Sequence, residues 1–87
     1  MSDSNLRTKT IYLINQIRQY KGLEPAKLPD TASLDESGWG LDSLDLAQLS
    51  AALEQKFGHD PYSQRVFALT VGEIIEYYQK HKEPTEL

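Results

Sequence analysis

Apolar residues recur at intervals of three and four positions in two long segments of this chain, which is the spacing of amphipathic helices. The first segment predicts a helix over about residues 4–20, with polar residues such as Arg7, Asn15 and Arg18 between the apolar ones. Its predicted buried positions are Leu6, Thr10, Leu13, Ile14 and Ile17. The second segment predicts a helix whose apolar stripe is Leu46, Leu49, Ala52, Leu53 and Phe57.

Local signals fix where this second helix begins and ends. Asp42 can act as its N-cap, because a carboxylate there accepts from the unpaired N–H groups of the first turn. Ser43 is then the first helical residue, and Asp45 is favourable at the third position because of the helix dipole. Gly58 follows the last apolar residue and is expected to end the helix.

Two shorter helices are predicted in the second half of the chain. Asp60 is expected to be an N-cap and Pro61 the first helical residue after it, so we expect a short helix over residues 61–65. Val66 and Phe67 are expected to turn back into the core. Thr70 to Glu73 has capping-box spacing and predicts a last helix over residues 71–80, with a buried face of Val71, Ile74, Ile75 and Tyr78.

Together these elements predict an all-α fold, a small four-helix bundle with three main helices and one short one. The 87 residues are expected to form a single domain with a core over about residues 4–81 and a frayed tail at residues 82–87. The connection from residue 21 to residue 41 is rich in Gly, Pro, Asp and Ser, and its apolar residues predict a loop pinned across the core. These residues are Leu23, Leu28, Leu34, Trp39 and Leu41. So long a loop is more often functional than idle, and it leads to Ser43.

Composition narrows the classes of function. The chain has no cysteine, which excludes disulfides, thiolate catalysis and Cys-based zinc sites. It shows neither a signal peptide nor a run of about 20 apolar residues, so we expect a cytoplasmic protein without a membrane span, monomeric by default. A net charge of −4 opposes binding to nucleic acid or anionic membranes and favours basic protein surfaces.

The order of these elements resembles the acyl and peptidyl carrier protein family over nearly the whole chain. The most specific similarity covers residues 40–46, Gly-Leu-Asp-Ser-Leu-Asp-Leu, and residues 53–58, Leu-Glu-Gln-Lys-Phe-Gly. The resemblance implies that a phosphopantetheinyl transferase attaches phosphopantetheine, taken from coenzyme A, to Ser43. The arm would supply the thiol that the cysteine-free chain lacks, and the protein itself would catalyse nothing.

The resemblance also implies binding residues and partners. Asp42 and Leu44 are expected to contact the transferase or the cofactor beside Ser43. The expected partner-docking residues are Asp45, Leu46, Gln48 and Leu49. Besides the transferase, the partners would be an acyl- or aminoacyl-loading ligase and a downstream transferase or synthase of fatty acid, polyketide or nonribosomal peptide metabolism. The second helix is not uniformly acidic, which favours a specialised partner set. Its polar residues are acidic Asp45 and Glu54, neutral Gln48, Ser50 and Gln55, and basic Lys56.

Other interpretations of the same residues stay open at this point. The chain could be a helical docking module without a prosthetic group, in which Ser43 is an ordinary helix-start residue. A hydrolase triad of Ser43, His59 and Asp60 can be written, but no nucleophile-elbow motif supports it. His59 and His81 are expected to be solvent-exposed, no metal site is predicted, and Trp39 and Phe67 are expected to fill the core. Ala51 and Ala52 could leave room for a short acyl chain or let helices pack closely.

Overall fold

A computed structural model describes residues 3–80 of the chain. Within them lie the helices α1 (Asp3–Tyr20), α2 (Ser43–Phe57) and α3 (Val71–Lys80), and a 3₁₀ turn at Tyr62–Gln64. Helix α1 packs against both α2 and α3. The all-α prediction is therefore confirmed, and each predicted main helix begins and ends within one residue of its observed bounds. The predictions for His81 and for the tail at 82–87 lie outside the described residues.

The core forms where the apolar stripes of the three helices meet. All five predicted positions of α1 are buried, and so are Leu49 and Leu53 of α2 and the four predicted positions of α3. Burial of each large aliphatic side chain contributes about 1.5–3 kcal/mol to stability. The α3 stripe also includes Tyr77, which the sequence interpretation did not place in the core.

The helix ends follow the local signals in the sequence. Gly22 and Gly58 have φ of 82° and 89°, left-handed values that end α1 and α2. At the start of α3, the Thr70 hydroxyl accepts from Glu73 N at 3.1 Å. The Glu73 carboxylate accepts in turn from Leu69 N at 2.9 Å, one residue before the expected partner. The predicted cap is confirmed, with this small shift in its second hydrogen bond.

The long loop is pinned to the core as predicted, with one exception. Leu34, Trp39 and Leu41 are buried, and Leu28 is half-buried. The exception is Leu23, which is 38% exposed. Its backbone N–H bonds to Arg18 O, so Leu23 belongs to the turn that closes α1 rather than to the part of the loop that crosses the core.

Polar side chains of α1 hold the outer part of the same loop. Arg7 forms a two-pronged ion pair with Asp30, with its Nε 2.8 Å and its Nη2 2.7 Å from Oδ2. Asn15 donates to Ala26 O and accepts from Ala26 N, both at 2.9 Å. Since an unpaired backbone group is costly away from water, the Asn15 amide supplies hydrogen bonds that the loop backbone lacks, while Arg7 holds the loop through a side chain. Helix α1 therefore serves as the rigid support of the loop.

Backbone contacts join this loop to the segment that precedes α3. Ser33 pairs with Thr70 in an isolated antiparallel bridge, and Leu34 N donates to Leu69 O at 2.9 Å. Trp39 N donates back to Ser33 O, also at 2.9 Å. A Cβ atom on Gly38 would lie 2.0 Å from that Ser33 oxygen, so only glycine fits at this close approach.

Gly38→Ala is therefore expected to destabilise the fold by about 2 kcal/mol or more, because backbone atoms must shift to admit the methyl group. Gly58→Ala is the matched control, since φ is 89° there but no atom lies within 4 Å of the added Cβ. It should cost only the left-handed strain, about 1 kcal/mol. Urea unfolding of both variants measures the difference, and equal losses would contradict the close-packing explanation.

The segment between the 3₁₀ turn and α3 differs from the prediction. Val66 and Phe67 were expected in the core, but they are 37% and 70% exposed, and Ala68 is the buried residue. Arg65 adopts a left-handed conformation, with φ of 63°, and Val66 N bonds back to Pro61 O. This reversal stops the predicted short helix after one 3₁₀ turn and directs the following side chains to solvent.

The expectation that His59 is exposed is also wrong. It is half-buried, with its Nδ1 2.7 Å from the Tyr77 hydroxyl. Its carbonyl oxygen accepts from the Tyr78 hydroxyl at 2.7 Å. The neighbouring Asp60 is 1% exposed and accepts from the Ser50 hydroxyl at 2.6 Å and from Ser63 N at 3.1 Å. These hydrogen bonds fasten the turn after α2 to both α2 and α3.

Candidate functional site

Ser43 is the first residue of α2, and it is exposed. Asp42 precedes it as the N-cap, with its Oδ1 accepting from Asp45 N at 2.9 Å. Asp45 Oδ2 accepts from Asp42 N at 3.0 Å, which completes a capping box. The predicted start of the helix is confirmed. The Ser43 hydroxyl makes no hydrogen bond to any residue of the described range 3–80, at a helix end that carries unpaired N–H groups and a partial positive charge.

Lys21, immediately after α1, holds this helix start in place. Its Nζ lies 2.6 Å from Asp45 Oδ2 and 3.8 Å from Asp42 Oδ2, and it donates to Gly40 O at 3.0 Å. The hydrogen bond to Asp45 raises the pKa of Lys21. Burial alone would raise the pKa of Asp45, but the hydrogen bonds from Lys21 and from the Asp42 backbone lower it overall. Both groups are therefore charged at neutral pH.

The residues just before Ser43 are fixed by a second cation of α1. Arg18 Nη1 donates to Trp39 O at 2.6 Å, and its Nε and Nη2 donate to Glu24 O at 3.1 and 2.8 Å. Gly40 then turns the chain with φ of 80°. Arg18 thus joins the beginning of the long loop to its end, so Ser43 is presented from an anchored backbone.

The ion pair between Lys21 and Asp45 predicts how stability depends on pH. The folded-state pKa of Asp45 is lowered, so its contribution is complete above the ordinary aspartate value of about 3.9 and is lost as pH falls through the lower folded value. Asp45→Asn keeps an oxygen that can accept from Asp42 N but removes the charge. We expect the variant to melt about 5 °C lower at pH 7.

Thermal unfolding from pH 7 to pH 2 tests this prediction, and the two melting curves should converge at the acid end, where wild-type Asp45 is also neutral. Glu54→Gln is the control, because the Glu54 carboxylate is exposed on α2 and has no side-chain partner within residues 3–80, so the melting temperature of this variant should follow that of wild type at every pH. A constant difference between wild type and Asp45→Asn at every pH would contradict the assignment.

The predicted binding and docking residues do not share one surface. Leu44 is 76% exposed and Gln48 is exposed, so both can contact a partner, and Leu46 is half-buried. Leu49 is fully buried and Asp45 is only 7% exposed, which corrects their assignment as docking residues. Leu49 belongs to the core stripe, and Asp45 is engaged by Lys21.

Two residues of this region, Ala47 and Lys21, were not singled out from the sequence. Ala47 and Ala51 are exposed beside Leu44 and Gln48 on one face of α2, so Ala51 does not pack between helices, and Lys21 supports the helix start. The spacing of three and four residues could have identified Ala47. The role of Lys21 had no comparable local signal, since its partner is 24 residues away.

The hydrolase alternative is not supported by the geometry. His59 contacts Tyr77, and Asp60 contacts Ser50 and Ser63. Neither one bonds to Ser43, so the three residues do not form a triad. In the part of the chain from 3 to 80, no group of three or more His, Cys, Asp or Glu side chains is arranged to hold a metal ion, and no helix is long and apolar enough to cross a membrane.

The fold and the site together define the class of this chain: a small all-α protein that presents an exposed serine hydroxyl at an anchored helix start, with no histidine bonded to that hydroxyl among residues 3–80. Comparisons with known proteins specify the class. Residues 12–78 match the family described as phosphopantetheine attachment site. The acyl carrier protein of Zymomonas mobilis is 36% identical over 84 residues, which are 94% of this chain and 99% of that protein.

Two further relatives agree with this result. An acyl carrier protein of Rhodopseudomonas palustris is 34% identical over 82 residues, covering 93% of this chain and 96% of the relative. The solution structure of MacpD, an acyl carrier protein from Pseudomonas fluorescens involved in mupirocin biosynthesis, superposes with a TM-score of 0.76. It is 27% identical, and the match covers 94% of this chain and 75% of MacpD. The chain belongs to the acyl carrier protein family, whose prosthetic group is covalently attached phosphopantetheine.

Proposed function

We propose that Ser43 is the attachment residue for phosphopantetheine and that the holo-protein carries acyl or aminoacyl groups between biosynthetic enzymes. The observation that supports this most strongly is the exposed Ser43 hydroxyl at the capped start of α2. Its lack of hydrogen bonds within residues 3–80 leaves it accessible to an enzyme that supplies its own base and metal. Asp42 and Leu44 flank the hydroxyl and would contact that enzyme.

The start of α2 also fits a phosphodiester. The first turn of a helix presents unpaired N–H groups and a partial positive charge, which favour an anion. Lys21 Nζ lies close to both aspartates of the capping box and offsets their charge there. The Ser43 oxygen would attack the phosphorus of coenzyme A that bears pantetheine, the pyrophosphate bond would break with release of adenosine 3′,5′-bisphosphate, and the serine proton would pass to the modifying enzyme. When attached, phosphopantetheine supplies the thiol that holds cargo as a thioester.

The proposed partners follow from this function. A phosphopantetheinyl transferase would use coenzyme A to modify Ser43, a ligase would load the acyl or aminoacyl cargo, and a downstream transferase or synthase would receive it. Tethering raises the effective concentration of the cargo at each enzyme, so weak and reversible docking is sufficient. We place this exchange in the cytoplasm and expect the chain to act as a monomer.

Intact-mass measurement tests the proposal directly. The purified chain is incubated with coenzyme A and a broad-specificity phosphopantetheinyl transferase, and the product is fragmented to locate the modification. We expect a gain of one phosphopantetheine unit, confined to the peptide that contains Ser43. A modification at Ser37 or Ser50 would overturn the assignment of Ser43, and no gain in folded protein with several transferases would overturn the proposal and favour a docking module without a prosthetic group.

A further inference from the structure

The face of α2 beside Ser43 carries no exposed charged side chain for most of its length. Its exposed positions are Leu44, Ala47, Gln48 and Ala51, which lie together because they are three and four residues apart. The first exposed charge of α2 is Glu54, eleven residues after Ser43 and about 16 Å further along the helix at 1.5 Å per residue. Any enzyme that reaches the Ser43 hydroxyl must cover the beginning of this face.

The absence of charge is a consequence of the tertiary structure, because α2 does carry an acidic residue in its first turn. Asp45 is 7% exposed, and its Oδ2 is 2.6 Å from Lys21 Nζ. Lys21 also opposes the exposed carboxylates of Asp42 and the loop residue Glu36, since both raise its pKa through their charge. One lysine from the end of α1 therefore neutralises Asp45, while Asp42 and Glu36 remain exposed carboxylates just before the helix.

We propose that Lys21 determines partner specificity by acting as an internal counter-ion to Asp45, so that the face of α2 that follows Ser43 is uncharged and partly apolar as far as Glu54. The occupant that fits this face is a modifying enzyme whose contact surface is itself uncharged and apolar around its active-site entrance. A basic surface that covers residues 44–51 would lose hydration there without gaining an opposite charge. This inference rests on the proposed attachment at Ser43 and specifies the chemistry of the enzyme that recognises it.

Steady-state kinetics of phosphopantetheine transfer test the inference, with a transferase whose contact surface is basic as the probe. Lys21→Met should release Asp45, Asp42 and Glu36 from their cation. We expect the KM of this variant to be about threefold or more lower than that of wild type at 50 mM salt and to rise toward it at 300 mM, while kcat changes little. Wild type should show a weaker response to salt.

Three further variants separate this role from a general effect on charge or folding. Lys80→Met removes the same charge from a surface pair with Glu76 on α3, and it should keep the wild-type KM and salt response. Asp45→Asn should raise the KM, because Lys21 then loses its nearest carboxylate and the helix start becomes more positive toward a basic enzyme. This expectation has the opposite sign to that for Lys21→Met, so it remains a test even if that variant does not fold.

The double variant Lys21→Met with Asp45→Asn is decisive. It has the same net charge as wild type, so we expect a KM and salt response close to wild type. If Asp45 instead contacted the enzyme directly, the double variant would retain the raised KM of Asp45→Asn, and the inference would be wrong. Identical kinetics for wild type, Lys21→Met and Lys80→Met would also overturn it. Failure of wild type to accept phosphopantetheine from any transferase would instead reject the proposed attachment.

Discussion

Ser43→Ala is expected to abolish loading of the protein completely. The variant removes the oxygen that would form the phosphodiester, and neither a thiol nor another exposed hydroxyl occupies the start of α2. Neither cofactor transfer nor later thioester formation can then proceed. We expect no mass gain with coenzyme A and transferase, and no labelled cargo after incubation with a loading ligase.

The same substitution should leave the fold intact. The Ser43 side chain is exposed and makes no hydrogen bond within residues 3–80, and the capping box belongs to Asp42 and Asp45. A surface substitution of this kind changes the free energy of unfolding by about 0.5 kcal/mol or less. Ser37→Ala is the matched control, since Ser37 is an exposed serine in the preceding loop and should not affect loading. Full loading of Ser43→Ala would refute the attachment site.

Trp39→Ala is expected to produce the largest loss of stability in the chain. Trp39 is fully buried, and its backbone joins Ser33 on one side and Arg18 on the other. Truncation would leave a cavity that the anchored loop cannot close, with a cost of about 3–5 kcal/mol. Because a domain of this size is stable by only about 5–15 kcal/mol, we expect its melting temperature to fall by on the order of 15 °C.

Two controls make the Trp39 prediction specific. Phe67 is an aromatic residue that is 70% exposed, so Phe67→Ala should change the free energy of unfolding by about 0.5 kcal/mol or less. Trp39→Phe should cost less than Trp39→Ala, because it keeps an aromatic ring and removes an indole N–H that has no partner among the described residues. Urea unfolding measures all three. Equal losses at Trp39 and Phe67 would contradict the observed difference in burial.

The positions of the helices could be predicted because the signals that define them act over a few residues. The apolar spacing of α1 and α2 identifies their buried faces, and Asp42, Gly58 and Thr70 mark ends that the structure confirms. A cap bonds to a group three or four residues away, so both partners appear in one short stretch of sequence.

Predictions failed where the result depended on residues far apart in the chain. Phe67 was assigned to the core for its hydrophobicity, but the left-handed conformation of Arg65 directs the following segment outward. His59 was expected at the surface, but α3 brings the Tyr77 hydroxyl within 2.7 Å. In both cases local composition carried no information about which side of the backbone would face the other helices.

The sequence by itself determined that the chain is an all-α protein with an exposed serine at the start of a capped helix, because periodicity and capping are local properties. Only the tertiary structure decided the charge of the surface around that serine. Lys21 and Asp45 are 24 residues apart, and their side chains meet only because α1 packs against α2 and the long loop returns across the core. The acidic residue that the sequence placed on the docking face is therefore held inside the fold by a cation from another element.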